Sequence, residues 1–272
     1  MNTTAKIFTL ISIGLLSACQ SANENTPPCP EGEKESDAIL ISTLWLQTAT
    51  EAKTAREQAF DLAYLRLQEN NKLYTASHQE IKQKPAAVVL DLDETVLDNS
   101  PYEARVIKNA GKFEMDSWSQ WVEEAQADLI PGAENFLREA VSLGLEVYYI
   151  SNRSHERLGP TLKNMQAYKL PFADSSHVLL RKEDSDKSGR RAAVDSAHKI
   201  ILIVGDQMGD FAEAEALEQI ATDSLRKHFV LIPNPMYGSF TRLSESEDAA
   251  FDTKLEAWRN KLNSKNSQEW GL

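Results

Sequence analysis

Apolar and polar positions divide the chain into three textures. Ile7 to Leu16 is a run of ten mainly apolar residues. From about Asp37 to Gln83 the spacing changes, and Ile39, Leu40, Leu44, Ala52, Ala59, Ala63 and Leu67 fall largely on one helical stripe. Neither Pro nor Gly interrupts this stretch before Pro85, which predicts a long helix or a helix pair. Beyond Pro85, short β-type apolar runs appear at Ala86–Leu90, Leu145–Ile150, Val178–Leu180, Ile200–Val204 and Phe229–Ile232. Helical segments near Ala133–Leu143, Glu156–Tyr168, Ser188–Ala197 and Phe211–Glu218 separate them. Continuous apolar strands alternating with helices predict an α/β fold, a Rossmann-like parallel sheet with helices on both faces. Ligands in such sheets bind beyond the carboxyl ends of the strands, so the residues just after each run carry the chemistry.

Composition narrows this picture. The 272 residues are 42% hydrophobic and 26% charged, enough for one core with a small appended lobe. A net charge of −12 argues against binding a nucleic acid polymer, which needs a basic surface. Two cysteines exclude both a disulfide scaffold and a Cys-rich zinc site. The first apolar run, preceded by Lys6, is too short to span a bilayer, which takes about 20 residues. It ends in Leu16-Ser17-Ala18-Cys19, which resembles a bacterial lipobox. That resemblance implies a signal peptide over 1–18, a lipid on Cys19 and attachment to the membrane through the lipid anchor alone. Gln20 resembles the residue of lipoproteins sent on to the outer membrane, so the expected address is an exported outer-membrane lipoprotein. Residues 19–36, rich in Pro, Glu and Ser and containing Cys29, are expected to form a flexible tether to a domain spanning 37–272.

The strand ends hold a coherent set of groups. After the first run come Asp91 and Asp93, two carboxylates that can share one site if a cation or proton compensates them. Oxygen-only donors of this kind suit a hard ion such as Mg2+. After Ile200–Val204 come Gly205, Asp206 and Asp210, a second acidic strand end. After Leu145–Ile150 come Ser151, Asn152 and Arg153, donors suited to phosphate oxygens, and Lys187-Ser188 opens a helix between these two strands. Lys182 is the alternative cation. An insertion over about 98–130 carries Tyr102, Phe113, Trp118 and Trp121 and is expected to be a small, mainly helical cap. The histidines, His78, His155, His177, His198 and His228, have no metal-ligand spacing and are expected to be structural or superficial.

These four strand ends resemble the four motifs of the haloacid dehalogenase superfamily. Asp-Leu-Asp-Glu-Thr-Val-Leu-Asp-Asn and Gly-Asp-Gln-Met-Gly-Asp-Phe are similar to those of one branch, the class C nonspecific acid phosphatases and outer-membrane lipoprotein 5′-nucleotidases. The resemblance implies Mg2+-dependent hydrolysis of a phosphomonoester, a nucleotide above all. Asp91 is then the nucleophile and Asp93 the general acid, with Asp93 also offering its backbone carbonyl to the metal. The side chains of Asp91 and Asp206 complete the protein's metal ligands, Asp210 orients water beside them, and Ser151 and Lys187 hold the phosphoryl oxygens. Trp118 and Tyr237 match the aromatics that sandwich the substrate's base, and a homodimer is implied by similarity alone. The residues between Asp206 and Asp210, and Asn234-Pro235-Met236 before Tyr237, depart from the commoner pattern. Phosphoryl transfer to an alcohol on the same fold, and a non-catalytic surface ligand-binding lipoprotein, are the alternative readings.

Overall fold

The computed structural model describes residues 31–76, 84–212, 222–241 and 250–262. The signal segment, Cys19, Cys29, His78 and most of the helix expected over Phe211–Glu218 lie outside them. Two helices come first, α1 (Glu31–Thr48) and α2 (Thr50–Ala76). The helix therefore begins inside the stretch expected to be tether, and Ser36 and Thr43 are buried on it. Of the stripe read from the sequence, Ala52, Ala63 and Leu67 of α2 are buried and Ala59 is half-buried, with Phe60 buried beside them. Leu40 and Leu44 of α1, by contrast, are exposed.

Five strands form one parallel sheet: β1 (Ala86–Leu90), β4 (Glu146–Ser154), β5 (Val178–Arg181), β6 (Lys199–Gly205) and β7 (Phe229–Leu231). Their order is β5-β4-β1-β6-β7, which puts β1, and hence Asp91, in the middle. Alternation along β1 feeds two cores. Val88 and Leu90 face a cluster with Phe60 and Leu67 of α2 and with Phe136 and Leu137 of α5 (Ala133–Ser142), while Ala87 and Val89 face Val194 of α7 (Ser188–Ala197). A further helix, α6 (Leu158–Ala167), adds Met165 to the first cluster. The hydrophobic pattern does not predict the helices Thr222–His228 and Phe251–Lys261.

The insertion is closed at its base by a two-stranded ribbon that the sequence pattern does not predict, β2 (Leu97–Asp98) against β3 (Asp128–Leu129). It carries α3 (Ser100–Lys108) and α4 (Met115–Glu124), so the expected helical cap is present. Two histidines sit at the opposite end of the sheet from Asp91. His177 and His198 place Nε2 at 3.3 Å and 3.1 Å from the Glu146 carboxylate at the start of β4, which makes them structural.

Gly132, at the start of α5, has φ +94°, and a Cβ there would lie 2.9 Å from the Phe60 Cβ of α2. Gly132→Ala is expected to cost about 1–3 kcal/mol through strain and overpacking. Thermal and urea unfolding check this, and an unchanged midpoint would contradict it.

Candidate active site

β1 and β6 deliver their carboxylates level with each other because the Asp91 amide donates to the Val204 carbonyl at 3.0 Å. Gly205 then admits the chain into a turn where any Cβ would strike the Asp210 side chain. The Gln207 amide donates to the Asp210 carboxylate at 3.0 Å, folding that turn back on the strand end. As a result, carboxylate oxygens of Asp91, Asp206 and Asp210 lie within 4.8 Å of one another, all buried. Lys187, buried just before α7, donates to Asp91 and, at 2.6 Å, to Asp210. Lys182 is exposed, so Lys187 is the cation of the site.

One ammonium does not neutralise three carboxylates. Burial pushes the Asp91 carboxyl up to about 7 despite the opposing pull of Lys187. Burial, and then the Asp210 and Asp91 charges, hold Asp206 well above the ordinary carboxylate range. The Asn234 amide donates to Asp206 at 2.6 Å, and the Thr95 hydroxyl does so at 3.4 Å. An all-oxygen, buried and under-compensated donor set fits a hard divalent cation, which Asp91, Asp206 and Asp210 would hold.

Asp93 has a different environment, although it stands only two residues away. Arg153 grips its Oδ1 with Nη2 at 2.7 Å and Nε at 2.9 Å. The Asn99 amide adds a donor at 2.9 Å, and the Ser151 hydroxyl approaches Oδ2 at 3.3 Å. β4 runs on to Ser154, past the expected end at Ile150, and its register with β5 slips between Ser151 and Ser154. The slip leaves Asn152 and Arg153 unpaired with β5 and re-aims them. Arg153 therefore lies on Asp93, and Asn152 accepts from Arg190 at 2.6 Å.

Asn99, Arg190, Arg191 and Glu94 are parts of the site that the sequence pattern does not single out. Arg190 also donates to the Ser151 carbonyl at 2.6 Å, and Arg191 to the Gly209 and Asp210 carbonyls at 3.1 Å and 3.2 Å. These adjacent arginines, one turn past Lys187, tie its helix to both neighbouring strand ends. Glu94 has a left-handed backbone, φ 59°, and accepts from the Asn99 backbone amide at 3.1 Å and from the Tyr237 hydroxyl at 2.5 Å. Burial, then the Asp93 charge, raise its carboxyl to about 8. Proximity to the Asp-x-Asp motif is the available signal for Asn99 and Glu94. The arginines have none beyond their place in a charged run.

A cleft of about 1360 Å³ opens from Lys187, Asn152 and Asp210 toward the cap and α1, with Phe113, Phe240 and Trp258 in its wall. Trp118 and Tyr237, the matched aromatics, do not line it, although their neighbours Phe113 and Met236 do. Trp118 packs edge-on against Tyr102, with ring centroids 5.2 Å apart, and the Arg153 guanidinium lies 5.9 Å over its ring. Tyr237 is fixed by its hydroxyl on Glu94.

A parallel sheet with a helical cap and these four strand ends defines a haloacid-dehalogenase-type phosphatase. The chain belongs to the HAD superfamily, subfamily IIIB (acid phosphatase), whose family model matches residues 33–240. It is similar to the class C acid phosphatase of Bacillus anthracis, at 33% identity and a TM-score of 0.73, over 85% of this chain and 99% of that one. A second structure of that relative, with tungstate bound, matches equally. Acid phosphatase 1 of Solanum lycopersicum is 27% identical over 157 residues, 55% of this chain and 57% of that protein. The chain thus spans little more than half the length of that curated relative.

Lys187→Met would leave the three carboxylates without their cation. A loss of about 3–5 kcal/mol is expected in chelator, with recovery when a divalent ion is added. Wild type in chelator should also be pH-dependent. The folded pKa of Asp91 exceeds its unfolded one, so its share of stability is complete below about pH 4. That share is lost as pH rises through about 7. A melting temperature that is flat over this range, or insensitive to divalent ions above it, would contradict the charge account.

Proposed function

We propose that the protein is a Mg2+-dependent phosphomonoesterase with 5′-nucleotidase activity, working through an aspartyl-phosphate. The observation that carries this reading is the contrast between two aspartates two residues apart. Asp91 lies against Lys187 among carboxylates, whereas Asp93 is held by Arg153, Asn99 and Ser151. The relative that binds tungstate, a tetrahedral oxyanion like phosphate, supports the same reading.

When bound, the cation supplies positive charge against the phosphoryl oxygens and lets an anion approach ionised Asp91. A carboxylate oxygen of Asp91 forms the bond to phosphorus as the bond to the leaving oxygen breaks. Lys187 stays within reach of both Asp91 and the transferred group, and stabilises the charge spread over its oxygens. Asp93 gives its proton to the leaving oxygen. Its Oδ1 takes the shorter contacts, from Arg153 and Asn99 at 2.7–2.9 Å. Oδ2, with longer contacts to Arg153 at 3.2 Å and Ser151 at 3.3 Å, is the oxygen to carry that proton. In the second half, Asp93 takes a proton from water, whose oxygen bonds to phosphorus and releases Asp91. Ser151, buried and anchored by the Arg153 amide at 3.1 Å, donates to the same oxygens.

Nucleotide preference rests on the cap, where the aromatic cluster of Tyr102, Phe113 and Trp118 adjoins Arg153 and so the leaving group. Stacking on a base contributes about 1–3 kcal/mol. Lipid attachment at Cys19 to the outer membrane is part of the proposal. It rests on Leu16-Ser17-Ala18-Cys19, and no helix among the described residues is long and apolar enough to cross a membrane. Dimerisation is proposed from similarity alone.

Phosphate release from 5′-AMP and para-nitrophenyl phosphate, with Mg2+ and with chelator, tests the mechanism. Asp91→Asn should abolish turnover on both. Asp93→Asn should lose about 10²–10⁴-fold on 5′-AMP, whose alkoxide needs a proton, and much less on the nitrophenyl ester. Equal losses on both esters would remove Asp93 from the acid role, and full activity in chelator would remove the cation. Nucleosides added as acceptors distinguish hydrolysis from phosphoryl transfer. Cys19→Ser should move the protein from the membrane to the soluble fraction.

A further inference from the structure

The Glu103 carboxylate lines the cleft without a hydrogen-bond partner among the described residues. Glu103 lies on α3, where Asn99 is the N-cap, and its amide faces the Asn99 carbonyl at 3.4 Å. The two residues share one face of the helix, about 5–6 Å apart at this spacing. Asn99 touches Asp93, the proposed proton donor to the leaving oxygen. Glu103 is thus one helical turn farther from the reacting centre on the same face. It lines the cleft that also reaches Lys187, Asn152 and Asp210.

Among the described residues, nothing donates a hydrogen bond to the Glu103 side chain. Arg105, two residues on, is taken by Glu124 at 2.7 Å, and Lys112, which shares the cleft wall, lies 3.8 Å from Glu114. Burial raises the carboxyl of the half-buried Glu103 to about 7, with no protein donor to offset it among the described residues. A ligand group bringing hydrogen-bond donors would relieve that deficit. A ligand bringing a second anion would deepen it.

We propose that Glu103 is a specificity-determining residue for the leaving group. Its carboxylate accepts hydrogen bonds from the vicinal hydroxyls of a sugar esterified through its primary oxygen, as in a ribonucleoside 5′-monophosphate. The inference rests on the phosphomonoesterase reading and narrows its substrate. In such an ester the ring hydroxyls lie a few bonds beyond the reacting oxygen. That matches a carboxylate one helical turn beyond Asn99, which holds the group that protonates this oxygen. A carboxylate accepting both hydroxyls is a charge-assisted, two-point contact, which rejects a substrate lacking them because the acceptor then stays unpaired.

The test compares 5′-AMP, 2′,3′-dideoxy-AMP and para-nitrophenyl phosphate on the full Mg2+-loaded protein, for wild type, Glu103→Gln and Glu103→Ala. Wild type is expected to favour 5′-AMP over the dideoxynucleotide by about tenfold or more in kcat/KM, mainly through KM. Glu103→Ala should bring that ratio close to one while leaving the ratio of dideoxynucleotide to nitrophenyl ester as in wild type. Glu103→Gln, which keeps one acceptor oxygen, should fall between. Wild type with no preference for the diol overturns the proposal, as does a preference that survives in Glu103→Ala. A Glu103→Ala protein slowed equally on all three esters overturns it in favour of a structural role for Glu103. Wild type inactive on every ester overturns the phosphomonoesterase reading and this inference with it, whereas activity on the nitrophenyl ester without diol preference overturns the Glu103 role alone.

Discussion

Three carboxylates buried together with one ammonium are the constraint on which the rest of this structure depends. Asp91, Asp206 and Asp210 converge because the central strand β1 and its neighbour β6 end level, and hydrogen-bonded sheet geometry leaves them no room to diverge. Gly205 is required because the Asp210 side chain fills the space a Cβ would need. The Asn234 amide and the Thr95 hydroxyl supply hydrogen-bond donors to Asp206, which is buried off the end of its strand. Lys187 answers part of the charge, and its own high pKa is the other side of that pairing. The remainder is an excess of negative charge that favours whatever cation or anion–cation pair enters the cleft.

The same constraint explains why the two halves of the Asp-x-Asp pair behave differently. Had Asp93 pointed into the triad, a fourth carboxylate would have joined it. The chain instead turns at Glu94 through a left-handed backbone, which sends the Asp93 side chain toward Arg153 and Asn99. Strain at such a residue costs about 1–3 kcal/mol and persists only where its surroundings over-determine it. Here they do, since Glu94 accepts from both Asn99 and Tyr237. The cap is bound into this arrangement. Trp121 of α4 donates to the side-chain amide oxygen of Asn99 at 2.8 Å, and Trp118 sits beside Arg153, so cap and acid are held by one network. Movement of the cap would disturb Asp93 before it disturbed Asp91.

Much of this is legible in the sequence because a buried parallel strand announces itself as a continuous apolar run, and the polar residues at its carboxyl end must serve chemistry or a turn. The five runs locate the five strands, and Asp91, Asp93, Lys187, Asp206 and Asp210 all lie at the ends predicted for them. The features that stay hidden depend on contacts rather than on local pattern. The β2–β3 ribbon has too few residues to show a period. The slip in β4 that re-aims Asn152 and Arg153 reflects pairing with β5, which no reading of β4 alone contains. An arginine after a strand suits phosphate, which is the role expected of Arg153, yet it lies on the Asp93 carboxylate, a contact across the sheet that no local pattern contains. Arg190 and Arg191 look like solvated charges in the sequence, and their partners include backbone carbonyls, which carry no sequence signature.

The helices before the sheet show how far the charge problem reaches. Arg56 of α2 is 1% exposed, and its Nε and Nη2 have no hydrogen-bond partner among the described residues. Its remaining nitrogen lies 3.7 Å from the Asp98 carboxylate, which in turn accepts from the Ser100 amide at the start of the cap. A guanidinium so poorly satisfied is costly in isolation. Burial lowers its pKa, but Asp98, Glu94 and Asp206 all act in the opposite sense. Placed behind the acidic strand ends, it is a second fixed positive charge, on the side away from Lys187 and closed to solvent. α2 therefore contributes electrostatics as well as apolar cover, and α1 packs on the first cap helix in the same way that α2 packs on the sheet. The family match begins at residue 33, within α1. The two N-terminal helices thus pack with the cap and the sheet that carry the acidic strand ends.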